Sequence, residues 1–328
     1  MAKQFLTGGH ASAARWLVMF ASQFSDEGQA STRIFFLDSE NPENWEVSDW
    51  PNGAVSSVDY QHGPENKLAL CVLSDQGLVS ISNRHGILAE QIDGAGLAMP
   101  GGKGYMSALI AVDETLFACG DNAQLYRRVG REQWERLQPE FTTSIQDQSD
   151  AAFAAIASGE TNLAVGVDAL RDRHDFATIA RGSGGDILLG GGFGLVARIR
   201  DGAYRYSRVD ERSQIVKVFE TGDTLTVVGW RDSTTRVFRG TFAQGFRQVA
   251  VSRAIGNATS AAHMGNEIYI GSKAGLFAQK DGGIEPVHVA SIKGVSQLAA
   301  VEGVLWIIGH HDAHRLSAAG LEYFPQPS

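Results

Sequence analysis

The run Leu225-Thr226-Val227-Val228-Gly229-Trp230-Arg231-Asp232 reads as a buried strand that stops at a glycine and passes directly into a turn. Its shape recurs in Leu116-Phe117-Ala118-Cys119-Gly120, Ile187-Leu188-Leu189-Gly190, Ile268-Tyr269-Ile270-Gly271 and Leu305-Trp306-Ile307-Ile308-Gly309. From Gly190 onward the terminal glycines lie 39, 42 and 38 residues apart. Self-similarity at that period, in strand-forming sequence, marks a repeat architecture with one small sheet per unit.

The unit around Ile268 can be written out in full. An inner strand, Ala258 to Met264, leads to the glycine-ended strand Glu267 to Gly271, then to Gly275–Gln279 and Ile284–Val289. Gly265-Asn266 and Asp281-Gly282 separate them, and both pairs suit tight hairpins because glycine and asparagine accept positive φ. Counting backwards gives a third unit from Met106 to Leu137, a second from Ala54 to Ile92 and a first from Phe5 to Trp50; the first two lack the terminal glycine. Seven units result, and the expected fold class is all-β: a seven-bladed β-propeller of four-stranded antiparallel blades, whose radial repetition hides most strand edges. The whole chain, 1–328, then forms a single domain. The last unit carries its own outer strand, Leu321-Glu322-Tyr323-Phe324, so no N-terminal strand is needed to complete it.

One interval breaks the period. Gly120 and Gly190 are 70 residues apart, and the surplus falls at about 140–175. Within it Ser149 or Asp150 can cap a helix starting at Ala151-Ala152-Phe153, and the stretch from Ala169 to His174, with Arg171 and Arg173, is charged and expected to be exposed. Such an insertion is either a loop grown without function, since long loops cost little, or a partner-binding or lid element.

Lys and Arg number 28 against 37 Asp and Glu, a net charge of −9. That field repels phosphate backbones, so nucleic acid is not an expected partner, whereas a cationic protein is compatible with it. The one apolar run near the N-terminus, Trp16 to Ala21, is too short for a membrane span and too late for a signal peptide. No membrane partner is expected, and the location expected is cytoplasmic. Cys71 and Cys119 each sit in an apolar strand and read first as buried free thiols, with a disulfide left open by their similar placement.

Candidate chemistry is sparse. His310-His311-Asp312-Ala313-His314 holds possible metal ligands, but the segment follows a strand and reads as a hairpin turn with solvated histidines; no second ligand set accompanies it, so no metal is expected. Gly190-Gly191-Gly192-Phe193-Gly194 runs on into the strand Leu195–Ile199 rather than a helix, which removes the helix N-terminus that a phosphate loop uses. Gly182-Ser183-Gly184-Gly185 likewise lacks the strand-serine-helix context of a nucleophile elbow. The loop acids Asp49, Asp113, Glu114, Asp210 and Glu211 are not identifiable as a glycosidase pair, because that chemistry needs a defined carboxylate separation. Neither cofactor nor catalytic set is assigned.

Aromatic and arginine residues in outer strands and turns are the better candidates, since Trp and Arg anchor protein interfaces. They are Trp45, Trp50, Trp134, Trp230 and Tyr204, with Arg127, Arg128, Arg131, Arg231 and Arg236; the competing expectation is that each tryptophan packs between blades. Trp230-Arg231-Asp232, directly after Gly229, is the preferred contact site, and Phe153, Arg171 and Arg173 of the insertion are added to it.

The unit Leu116 to Arg127, with Gly130 and Trp134, resembles repeats of bacterial propellers of the broad WD40/YVTN and Ycf48-like, sialidase-like group. It lacks Trp-Asp dipeptides, and Gly130-Arg131-Glu132-Gln133-Trp134 lacks the serine and aspartate of the sialidase turn. The resemblance implies a non-catalytic propeller used as a binding platform. The expected function is therefore protein binding by a chain that is monomeric on its own. Its specific version is an immunity-type protein that neutralises a cognate, cationic toxin domain. The alternative is a carbohydrate-binding or glycoside-cleaving propeller with its site on the loop face or in the central channel.

Overall fold

A computed structural model describes residues 4–24, 30–62, 67–98, 102–137, 157–158, 175–280, 282–287 and 292–327. The described strands form seven four-stranded antiparallel sheets, each a continuous stretch of chain with its strands in sequence order. The inner strands are Leu6–Ala11, Ala54–His62, Met106–Val112, Phe176–Arg181, Gln214–Thr221, Ala258–Met264 and Gln297–Val301, which define blades 1 to 7. They stand side by side in chain order, and the ring closes where Gln297–Val301 meets Leu6–Ala11. The protein is a seven-bladed β-propeller. In blade 6 the strands are Ala258–Met264, Glu267–Ser272, Gly275–Lys280 and Gly283–Pro286. The outer one is strand as far as Pro286, and Val287 N still donates to Leu276 O at 2.9 Å; the expected end at Val289 lies outside the described residues. The expected helix at Ala151 lies outside the described residues.

The apolar core lies between blades rather than within them. Among the described residues the buried apolar side chains fall into seven clusters, and each draws on two neighbouring blades. A second strand is therefore covered on both faces, which is why Thr115–Gly120 and Val304–Ile308 read as unbroken apolar runs instead of alternating ones. Each fully buried Leu, Ile or Val contributes about 1.5–3 kcal/mol relative to exposure.

The recurrent glycine has a steric cause. None of Gly120, Gly190, Gly229 and Gly271 has positive φ. A Cβ on Gly120 would overlap the carbonyl oxygen of Tyr105, and one on Gly229 would come within 2.7 Å of the Gln214 oxygen, where the chain enters the inner strand of the same blade. At Gly190 and Gly271 the space is taken by the next blade instead, with Ile215 Cγ2 2.6 Å and Val295 Cγ1 2.5 Å from a Cβ. Blade 2 has Ser74 near the end of its second strand; it is buried, and its hydroxyl accepts the Leu78 N–H at 2.9 Å.

Six inner strands open on a bulge that leaves Thr7, Val55, Ser107, Ala177, Val216 or Thr259 unpaired. Such bulges add local twist and re-aim the side chain that follows. Among the described residues closure uses no exchanged strand: blade 7 pairs its own outer strand, Gly320–Pro325, with Asp312–Ser317. Leu6, Leu17, Met19, Phe35 and Leu37 of blade 1 instead pack on Trp306, Ile308, Ala313 and Phe324 of blade 7. Leu6 N donates to His310 O at 2.8 Å, Trp306 Nε1 to Ala13 O at 3.3 Å, and Arg315 Nη1 to Ser39 Oγ at 2.6 Å.

Two of the expected interface residues are structural. The Arg128 side chain is only 13% exposed and makes paired hydrogen bonds of 2.6 and 2.8 Å to the fully buried carboxylate of Glu90. Trp134 Nε1 donates to the same carboxylate at 3.0 Å, and its ring packs on the core between blades 2 and 3. Burial pushes the Glu90 carboxyl up, but Arg128, the Glu132 N–H and Trp134 together outweigh it and hold Glu90 below the usual carboxylate range. The thiols are free: Cys71 lies in that core, where burial pushes it up to about 12, and Cys119 lies in the next one.

Two stability predictions follow from these contacts. Gly120→Ala costs about 1–3 kcal/mol in urea unfolding because backbone must move, whereas Gly130→Ala, whose Cβ meets only the end of the Gln133 side chain at 3.1 Å, stays within about 0.5 kcal/mol of wild type. Glu90→Gln leaves the Arg128 charge buried and unpaired and costs about 3–5 kcal/mol at pH 7. Because Glu90 is depressed in the folded state, its contribution is present above the unfolded carboxylate value and is lost as pH falls through the folded one. The gap between wild type and Glu90→Gln therefore narrows on acidification below about pH 4.3.

Candidate partner-binding face

In antiparallel blades joined in sequence order, the two ends of the ring differ. One end carries the hairpins between first and second and between third and outer strands. The other carries the second-to-third hairpins and the crossovers between blades; we call it the crossover end. Trp230 and Arg231 close the second strand of blade 5, Thr224–Arg231, and the tip of the following hairpin is Asp232-Ser233 at the crossover end. Asp232 and Ser233 hold φ of 50° and 53°, the two positive values of a type I′ turn, without the glycine that usually supplies them. Blades 3 and 4 turn likewise at Asn122-Ala123 and Phe193-Gly194.

Neighbouring turns and crossovers frame a concavity of about 710 Å³ between blades 4 and 5. Its walls include Phe193, Arg208, Arg212, Trp230, Arg231 and Asp175. Trp230 is half-buried, one side packed against the core between blades 5 and 6. Arg231 Nε lies 3.1 Å from Asp232 Oδ2, and the Asp232 side chain is 81% exposed. Arg208 Nη1 donates to Phe193 O at 2.8 Å, fixing one arginine against the hairpin of blade 4.

The crossover from blade 4 to blade 5 is held by Asp210. Its carboxylate accepts the N–H groups of Arg212 at 2.9 Å and Ser213 at 2.7 Å and the Ser213 hydroxyl at 2.6 Å. Burial pushes its carboxyl up, and these hydrogen bonds, aided by the Arg231 charge, bring it below the ordinary value. Asp175 does the same for blades 3 and 4: its Oδ1 accepts Asn122 N at 2.9 Å and its carbonyl accepts Gly192 N at 3.0 Å. Asp175, where the described chain resumes, thus stands at the wall of this concavity. Phe153, Arg171 and Arg173 lie outside the described residues.

Other candidates do not join this site. Arg127 pairs with Glu135 at 2.5 Å and Arg236 donates to Gln248 at 2.6 Å, each from a third strand to its outer strand, and Arg131 faces Glu132 at 3.7 Å in the hairpin between such strands. Trp45, Trp50 and Tyr204 are partly buried against inter-blade cores. The loop acids are dispersed: Asp49 pairs with Arg33 at 2.7 Å, and Asp113 with Arg181 at 2.7 Å at the end opposite Asp210 and Glu211. The histidine cluster also divides. His310 and His311 sit in the hairpin, but His314 is not solvated; it is fully buried on the strand Asp312–Ser317, its ring 5.2 Å from that of Tyr323 and neither nitrogen hydrogen-bonded. That strand begins at Asp312 and is covered on both faces, so Ala313 and His314 are both fully buried. Among the described residues no three His, Cys, Asp or Glu side chains gather as a metal site, and no helix is long and apolar enough to cross a membrane.

Phe193, Arg208 and Arg212 were not singled out from sequence. The signal that finds them is blade equivalence, since Phe193 occupies in blade 4 the hairpin that carries Asp232 in blade 5.

No family model matches the chain, and no curated protein matches it by sequence. Solved structures do match. The chain is similar to Sqt1 of Saccharomyces cerevisiae, with a TM-score of 0.58 at 8% identity over 98% of this chain and 84% of that one. It is similar to YCF48 bound to a D1 peptide, with a TM-score of 0.59 at 9% identity over 99% of this chain and 93% of that one. At these identities the likeness is one of fold.

Proposed function

We propose that this propeller is a non-catalytic protein-binding platform and that its partner docks at the crossover end, on the concavity between blades 4 and 5. The carrying observation is the hairpin tip Trp230-Arg231-Asp232 at the rim of that hollow, opposite Phe193, Arg208 and Arg212. A half-buried tryptophan between arginines is the composition of an interface hot spot, where large, pre-positioned side chains lose little entropy on binding. A propeller of the same fold, YCF48, has been captured with a peptide bound. The finer reading is an immunity-type protein of the bacterial WD40/YVTN or Ycf48-like group, monomeric and cytoplasmic, that neutralises a cationic toxin domain. Its support is the net charge of −9, which would steer such a partner by long-range attraction.

The test is capture from native lysate followed by titration of the captured protein. A stoichiometric partner is expected on wild type, with Trp230→Ala and Arg231→Glu each weakening it about 30-fold or more, the equivalent of a 2 kcal/mol hot spot. Arg33→Ala, on the outer part of blade 1, leaves the affinity unchanged. Equal binding by wild type and both hairpin variants would move the interface elsewhere.

A further inference from the structure

The seven inner strands line a second cavity, of about 520 Å³, at the centre of the ring, and it shares no lining residue with the concavity between blades 4 and 5. Its lining contains Lys217, His10 and His263 and no aspartate or glutamate, in a chain with 37 acidic residues against 28 basic ones.

Lys217 departs from the pattern of the ring. It follows the bulge at Val216, the position held by Ser56 in blade 2 and Ser260 in blade 6. Those two hydroxyls tie their blades to the next by accepting the N–H of Leu109 at 3.0 Å and of Leu298 at 3.1 Å. An ammonium has no acceptor and cannot make that tie. Blade 5 thus has a charge where an inter-blade hydrogen bond stands elsewhere.

Nothing among the described residues neutralises that charge: Lys217 has no ion pair or hydrogen bond there. Asp59, behind the lining, is engaged by His10, whose Nε2 lies 3.2 Å from Asp59 Oδ1 and whose Nδ1 lies 2.6 Å from Ser57 Oγ. Among the described residues His263 has only a ring contact with Phe219, at 6.1 Å. The remaining group in electrostatic reach is the Cys119 thiol, which burial pushes up so that it stays protonated and neutral. Burial in turn pulls the Lys217 ammonium below its ordinary value, a sign that holding a cation there is costly. On the two preceding blades the lining hydroxyls of Ser107 and Thr178 have no hydrogen-bond partner among the described residues. A cation and free hydroxyl donors around a concave space without carboxylates complement an oxygen-bearing anion.

We infer that the central cavity is an anion site in which the Lys217 ammonium, assisted by the Ser107 and Thr178 hydroxyls, holds a small carboxylate or phosphate. The volume admits an organic acid or a phosphate ester as readily as the free ion.

Calorimetric titration of the full chain with inorganic phosphate and, separately, with succinate at constant ionic strength in chloride tests this. Saturable binding of at least one is expected, and the preference between them identifies the anion class. Lys217→Met weakens that binding at least tenfold, Lys217→Arg retains most of it, and Trp230→Ala leaves it unchanged. In buffer free of both anions, Lys217→Met raises Tm, because an unpaired charge has been replaced by an apolar chain of similar length. Absence of saturable binding of either anion to wild type overturns the inference whatever the variants do. So does undiminished binding by Lys217→Met; should that variant not fold, loss of binding in folded Lys217→Arg, which keeps the charge, overturns it equally.

Discussion

A sheet whose two faces are both apolar is stable only between two others, and a row of such sheets has no end until it becomes a ring. Every blade here obeys that constraint, with one apolar cluster at each junction, including the junction of blade 7 with blade 1. There Trp306 and Phe324 meet Leu17, Met19 and Phe35. Without this seam the outer faces of blades 1 and 7 would both be exposed apolar sheet, and the inner strands would have no common axis. The central cavity and the hollow between blades 4 and 5 are both by-products of closure.

Closure also sorts charge by location. The surface carries exposed pairs such as Arg33 with Asp49, which contribute little to stability in water. Among the described residues, carboxylates that closure removes from water are matched by arginines: Glu90 by Arg128, and Asp186 by Arg198 at 3.5 Å and Arg200 at 2.6 Å. Lys217 stands outside that accounting. A fold that pairs its other buried charges makes the exception informative.

Much of the scaffold was legible in the residues. The period of the glycine-ended strands defines the blade, and the strands of blade 6 fall where Gly265-Asn266 and the residues after Gly271 place them. What sequence alone leaves open is which neighbour each side chain meets. Arg128, on the third strand of blade 3, reads as an interface arginine, and Trp134, on the outer strand, reads either as an interface anchor or as packing between blades; the adjoining blade covers both with Glu90, a contact between residues 38 and 44 positions apart. His314 reads as part of a polar turn because the hairpin could end at several residues; the ladder begins at Asp312, in a strand that buries both Ala313 and His314. Trp230-Arg231-Asp232 is visible as a hairpin, but Phe193, Arg208 and Arg212 reach it only through blade equivalence. Lys217, in the run Ile215-Val216-Lys217-Val218, was not singled out from sequence; only ring geometry turns it toward the axis.

The seam has a further consequence, in the order of assembly. Each blade forms from contacts between consecutive strands, so its loop-closure entropy is small. The hydrogen bond from Ser296 to Leu6, by contrast, joins positions 290 apart. Local sheets can therefore stack progressively while the chain is still growing, and the join between blades 7 and 1 is the last to form. No interlocking strand secures it, unlike a ring fastened by a shared sheet. The same join is the natural place for the ring to open first, which makes the width of the axial cavity a property of the seam rather than of the blades that line it.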